Sequence, residues 1–142
     1  MYMRRDVLAT VIVVVIVAVI AIILLSLPPQ PAEAHITAVT TDKELYHSNE
    51  VMNIVISVVT AGNVDNTTVR IEGISDRHGR MRLSHEIPAN LSTGPATFIY
   101  DYQLPSCSSC AGLDPGTYEV NITLIRDGVI ISNMTRNVQI EQ

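Results

Sequence analysis

The stretch Gly116-Thr117-Tyr118-Glu119-Val120-Asn121-Ile122-Thr123-Leu124-Ile125-Arg126-Asp127-Gly128-Val129-Ile130 decides how the second part of this chain folds. Tyr118, Val120, Ile122 and Leu124 fall on one parity, and Glu119, Asn121 and Thr123 fall on the other. A period of two places the first set on one face of an extended strand and the second set on the opposite face. Asp127-Gly128 then supplies a dipeptide that tolerates two successive positive φ angles, so the strand turns back as a hairpin into Val129–Ile140.

The same alternation recurs upstream. Met52, Ile54, Ile56 and Val58 share a parity, as do Val69 and Ile71, then Met81, Leu83 and Ile87, then Phe98, Tyr100, Tyr102 and Leu104. Turn residues separate the runs at Ala61-Gly62-Asn63, Asp76 to Gly79, Ser92 to Pro95 and Asp114-Pro115-Gly116. With a first strand near Ile36–Thr41, the pattern predicts an all-β antiparallel β-sandwich of about seven strands, with Phe98, Tyr100 and Tyr102 in its core.

The start of the chain obeys another rule. Residues 7–27, VLATVIVVVIVAVIAIILLSL, contain two polar residues, Thr10 and Ser26, and no charge, Gly or Pro. As a helix this run would extend about 30 Å, the thickness of a bilayer's hydrocarbon core. Arg4 and Arg5 precede it, whereas residues 26–35 carry no Lys or Arg, which predicts a cytoplasmic N-terminus and an exported domain. Pro28, Pro29 and Pro31 end any helix and favour a stiff extended connection. The expected organisation is residues 1–6 cytoplasmic, 7–27 a transmembrane signal anchor, 28–34 a proline-rich spacer and 35–142 one extracellular domain. Ala32-Glu33-Ala34 also matches a signal-cleavage pattern, so cleavage after Ala34 would release a secreted domain. A pilin-like filament subunit is a third reading, although Asp6 stands where such subunits usually carry Gly or Ala.

Residues 35–142 hold seven basic and twelve acidic side chains. Such a surface is unsuited to displacing counterions from a phosphate backbone, so no nucleic-acid partner is expected.

Two local patterns carry a resemblance. Asp114-Pro115-Gly116-x-Tyr118 ahead of an alternating strand resembles the tyrosine corner of immunoglobulin-like sandwiches. Thr41-Asp42-Lys43-x-x-Tyr46, followed by Glu50-Val51, is similar to the TDKxxYxPGExV opening of macroglobulin-type and related bacterial or archaeal Ig-like surface modules, with Ser48-Asn49 in place of Pro-Gly. Ser75 to Arg80 sits where such modules often carry a PDGK-like hairpin. The resemblance implies an Ig-like fold, a structural role for Tyr118 and a function in spacing, adhesion or protein binding; it implies no chemistry. The Trp and the inter-sheet cystine of antibody domains are absent.

Four features could carry chemistry or modification. Cys107 and Cys110 form a CxxC between Pro105 and Gly112 with no second pair to complete a zinc site, so in an exported domain a local disulfide is expected. Asn66, Asn90, Asn121 and Asn133 each open an N-x-S/T sequon, making them glycosylation candidates; eight Asn would give roughly one by chance. Alternatively, Asn and Thr simply suit wet strand faces. His35 would become N-terminal after cleavage and could ligate copper with His47 or His85, although His85 has the parity of a core or rim residue. Finally, no nucleophile elbow, zincin helix, P-loop or dinucleotide motif occurs, which predicts no enzyme activity and no cofactor. A protein partner is expected at exposed loops, Asp76–Arg80 and Pro105–Gly112, or at a sheet edge.

Overall fold

The computed structural model describes residues 15–17, 20, 33–105 and 113–141. Residues 15–17 and 20 are helical. Among the described residues no helix is long and apolar enough to cross a membrane, and most of the apolar run 7–27 lies outside them. The chain divides between Gln30 and Pro31.

From Glu33 onward the described residues form a β-sandwich of eight strands: β1 (Glu33–Thr41), β2 (Leu45–His47), β3 (Val51–Ala61), β4 (Val64–Ser75), β5 (Met81–Leu91), β6 (Gly94–Gln103), β7 (Gly116–Arg126) and β8 (Val129–Glu141). One sheet has the order β1-β3-β6 and the other β2-β8-β7-β4-β5. The strand beyond the seven expected is β2, three residues long and parallel to β8 through Leu45↔Gln139 and His47↔Glu141. A three-residue segment is too short to show alternation, and this pairing makes the sandwich mixed rather than wholly antiparallel.

The parity rule describes the layers. Ile54, Ile56, Val69, Ile71, Val120, Ile122 and Leu124 are fully enclosed between the two sheets. Phe98, Tyr100 and Tyr102 are half-buried and pack against this core from β6, the edge strand of the smaller sheet. The expectation that they are core residues is corrected to that extent. An edge strand has a partner on one side only, so its inward side chains stay partly open to water.

β1 also begins earlier than expected. Glu33 pairs with Ala61 and Ala34 with Thr60, and Ala34 is buried. The last two residues assigned to the spacer therefore belong to the sandwich. Burial against β3 supplies a packing reason for a small residue at position 34.

At the β7–β8 turn Asp127 and Gly128 both have positive φ, 49° and 80°, the backbone that a tight two-residue hairpin requires.

Candidate functional site

Two ends of the sandwich present loops. The β1 start, the β3–β4 turn, the β5–β6 turn and the β7–β8 turn share one end; the other end gathers residues 42–50, 76–80, 104–105 and 113–115.

At this second end the sequence folds into two hydrogen-bonded frames. The first uses the residues of the TDKxxY pattern. The Tyr46 hydroxyl donates to Asp42 Oδ1 at 2.6 Å and accepts from the Lys43 N–H at 2.9 Å. Asp42 Oδ1 also accepts from the Asn53 N–H at 2.9 Å, fastening the segment to β3. Lys43 Nζ donates to Glu50 Oε1 at 3.0 Å, and the His47 N–H donates to Glu50 Oε2 at 3.0 Å. Asn49 takes φ 66°, the conformation that the Gly of the Pro-Gly version adopts freely. Burial, aided by the hydrogen bond to Asp42, pushes the Tyr46 phenol up to about 12. The phenol's hydrogen bond and the Asn53 N–H hold the Asp42 carboxyl below its ordinary value.

The second frame is the β4–β5 loop. Asp76 is buried, and its Oδ1 accepts from the N–H groups of His78 at 2.8 Å and Arg80 at 3.0 Å. Its Oδ2 meets Arg80 Nε at 2.9 Å and an Arg82 terminal nitrogen at 3.0 Å. Burial alone would raise the Asp76 carboxyl, but the backbone donors and the Arg80 guanidinium outweigh it and bring the group down to about 2. This loop is therefore a rigid platform that exposes Arg77, His78 and Arg80. Arg77 reaches Asp114 at 3.2 Å, and Asp114 in turn binds Tyr118, whose hydroxyl donates to the Asp114 carbonyl at 2.6 Å and accepts from its N–H at 3.1 Å. Asp76–Arg80 and the described ends of the 105–112 loop thus share one end of the domain. Cys107 and Cys110 lie outside the described residues, as does their expected disulfide.

The buried Asp76 was not singled out by residue type or parity. Its signal was positional: an acceptor with two N–H groups following it and Gly79 at φ 76° closing the turn. Because Asp76 is ionised and bonded in the fold but titrates near the ordinary carboxyl value when unfolded, its contribution is complete above about pH 4 and is lost as pH falls through about 2. Melting the full chain between pH 7 and 2 is expected to show a falling Tm, with contributions also from Asp42 and Glu50, whose carboxyls are likewise lowered. Asp76→Asn is expected to melt on the order of 10 °C lower at pH 7 and to show a flatter acid limb. An acid limb parallel to that of the parent chain would contradict the assignment.

The three histidines considered for copper do not converge. His35 is on β1 at an edge of the smaller sheet, His47 ends β2, and His85 is on β5 at the opposite edge of the larger sheet. Among the described residues no group of three or more His, Cys, Asp or Glu side chains could hold a metal ion. His85 has the inward parity expected of a core or rim residue but is exposed, stacked on Tyr100 with ring centroids 4.2 Å apart and planes 13° apart. The pair bridges the two edge strands β5 and β6.

All four sequon asparagines are exposed. Asn121 and Thr135 are directly opposite each other across β7 and β8, as are Thr123 and Asn133. The Thr135 hydroxyl donates to Asn121 Oδ1 at 2.6 Å. Two N-x-T triplets running antiparallel in register give reciprocal Asn–Thr pairs on the wet face, a packing reason for both triplets. At the other end Asn90 Oδ1 accepts from the Asn66 N–H at 3.3 Å, and Asn66 has φ 53°.

No family model matches the chain, and no curated protein matches it. Solved structures do. The C-terminal domain of Wzt superposes with a TM-score of 0.59 at 11% identity, covering 77% of this chain and 74% of that one. The CARDB domain of the PF1109 protein from Pyrococcus furiosus gives 0.51 at 14% identity, covering 77% of this chain and 93% of that one. A cycloisomaltooligosaccharide glucanotransferase from Paenibacillus gives 0.60 at 15% identity, with 78% of this chain matching only 14% of that enzyme. At such identities the likeness is one of fold, and the described domain is a β-sandwich of the kind these proteins contain.

Proposed function

We propose that this chain is a single-pass, membrane-anchored protein that holds one Ig-like β-sandwich outside the cell as a structural or protein-interaction module without enzymatic chemistry. The observation that carries the reading is the start of β1 at Glu33, six residues after the apolar run, with Ala34 buried and paired to Thr60. Cleavage after Ala34 would cut inside a strand and remove a core residue, which favours retention of the N-terminal run. The framed loops lie at the end of the sandwich opposite Glu33, where the connection enters. That far end, with Arg77, His78 and Arg80 on a platform fixed by Asp76, is where a protein partner would be met. The disulfide between Cys107 and Cys110 and glycans on the exposed asparagines belong to the same reading of an exported domain. The domain's fold neighbours, including domains excised from larger proteins, are compatible with a module of this kind.

Intact-mass analysis of the chain extracted from membranes tests the proposal. A species beginning at Met1, whose domain is digested by protease added outside whole cells, is the expected result. A chain beginning at His35 would replace the anchor with a secreted domain, and one beginning near Asp6 or Val7 would point to a filament subunit.

A further inference from the structure

The first three residues of β8, Val129, Ile130 and Ile131, are 64%, 63% and 37% exposed. They break the alternation that governs the rest of that strand. From Ser132 to Ile140 half-buried or buried residues alternate with exposed ones, whereas at the tip three aliphatic side chains in succession face water. A register shift beside Leu124 and Ile125 leaves Ile131 as the extra residue, so the tip presents apolar groups without a pleat to hide them. A soluble hairpin tip gains nothing from this, and clustered exposed aliphatics mark a surface that another phase or molecule covers.

The position of the tip names the occupant. The Ile36 N–H donates to the Ser132 hydroxyl at 3.0 Å, and Glu33, Ala34 and His35 line one groove with Arg126 and Ile131. Three residues back from Ile36 lead to Glu33, and three back from Ser132 lead to Val129, so the tip stands level with the point where the chain enters the domain. Five residues, Pro28 to Ala32, separate that point from the apolar run. Even fully extended, this connection spans only about 20 Å, and the headgroup layer itself occupies several ångströms of it. The tether thus keeps the tip within reach of the lipid at all times, which makes even a weak apolar contact effective.

We infer that the Val129–Ile131 tip inserts into the headgroup boundary of the bilayer that holds the chain's own N-terminal apolar run, seating the anchor end of the sandwich on the membrane. This rests on the anchor reading above. Insertion at two points, the tether and the tip, restricts the swing of the domain and keeps the opposite loop end pointed outward.

The chain contains no Trp, so a single Trp reports its own surroundings. The full chain, produced in a host without N-glycosylation because Asn66 adjoins the tip, is reconstituted in mixed phosphatidylcholine–phosphatidylglycerol vesicles carrying lipids brominated either near the headgroup or near the acyl-chain end. Ile130→Trp is expected to show roughly two-fold quenching by the shallow bromines, as for side chains held ~5–10 Å deep at the headgroup boundary. Ile16→Trp is expected to be quenched by the deep bromines, and His78→Trp, at the far loop end, by neither. Quenching of Ile16→Trp without quenching of Ile130→Trp leaves the anchor standing and overturns the insertion. An unquenched Ile16→Trp overturns the anchor reading and the insertion with it. Blue-shifted but unquenched Ile130→Trp emission that grows with protein density would assign the tip to a contact between copies and overturn the lipid assignment.

Discussion

Gly73→Ala is expected to destabilise the domain by about 3–4 kcal/mol, lowering the Tm of the full chain by roughly 15 °C. Gly73 lies within β4, between Leu83 of β5 and Val120 of β7, with φ 155°. A Cβ at this position would overlap the carbonyl oxygen of Glu119 and come within 3.1 Å of Val120 Cα. Both are backbone atoms of a neighbouring central strand, so no rotamer change relieves the contact. Either β4 and β7 move apart, or the local backbone rotates and disturbs Ile74, a buried β-branched residue already held at φ 52°. Thermal melting followed by far-UV circular dichroism measures the loss. Gly116→Ala is the control, because nothing lies within 4 Å of the corresponding Cβ. Equal melting temperatures for the two variants would show that the β4–β7 approach is looser than the geometry indicates.

Tyr46→Ala is expected to cost about 3–5 kcal/mol, the range for deleting a buried aromatic ring, and Tyr46→Phe about 1–2 kcal/mol for the hydroxyl bonds alone. Tyr46 is fully enclosed, and its hydroxyl is the centre of the frame that joins Asp42, Lys43 and β3. Denaturant midpoints for the two variants separate the packing share from the hydrogen-bonding share. The phenol also has a signature in pH. The unfolded chain releases this proton near its ordinary value, whereas the folded chain retains it up to about 12. The contribution of the protonated form is therefore complete below about pH 10 and disappears as pH rises to about 12. Tyr46→Phe is expected to shed part of the alkaline loss of stability. Tyr102 is raised by burial as well and remains in both proteins, so the difference between them isolates Tyr46. Identical alkaline limbs would contradict the assignment.

These two positions show what kind of information the sequence lacked. Gly73 looks like a weak point in a strand until the approach of Glu119 is seen, because only the packing of β7 against β4 makes the missing side chain necessary. Tyr46 belonged to a quoted pattern, but its role came from burial and from Asn53, seven residues away on the next strand. Asp76 is similar: composition made it one more acidic surface residue, whereas the turn encloses it among N–H donors and two arginines. His85 had the parity of an inward residue and is exposed, because β5 ends its sheet, and it stacks on Tyr100 there. The paired sequons on β7 and β8 needed the register before their reciprocal Asn–Thr pairing could be recognised.

By itself the sequence determined seven of the eight strands, most of their inward faces, the Asp127-Gly128 turn and the apolar character of residues 7–27, because periodicity and turn chemistry act between residues close along the chain. The tertiary structure alone decided that β1 starts at Glu33, that β2 runs parallel to β8, which carboxylate is buried, and that the Val129–Ile131 tip stands level with the chain's entry into the domain. Each of those depends on which distant segments meet, and a local pattern carries no record of its distant partners.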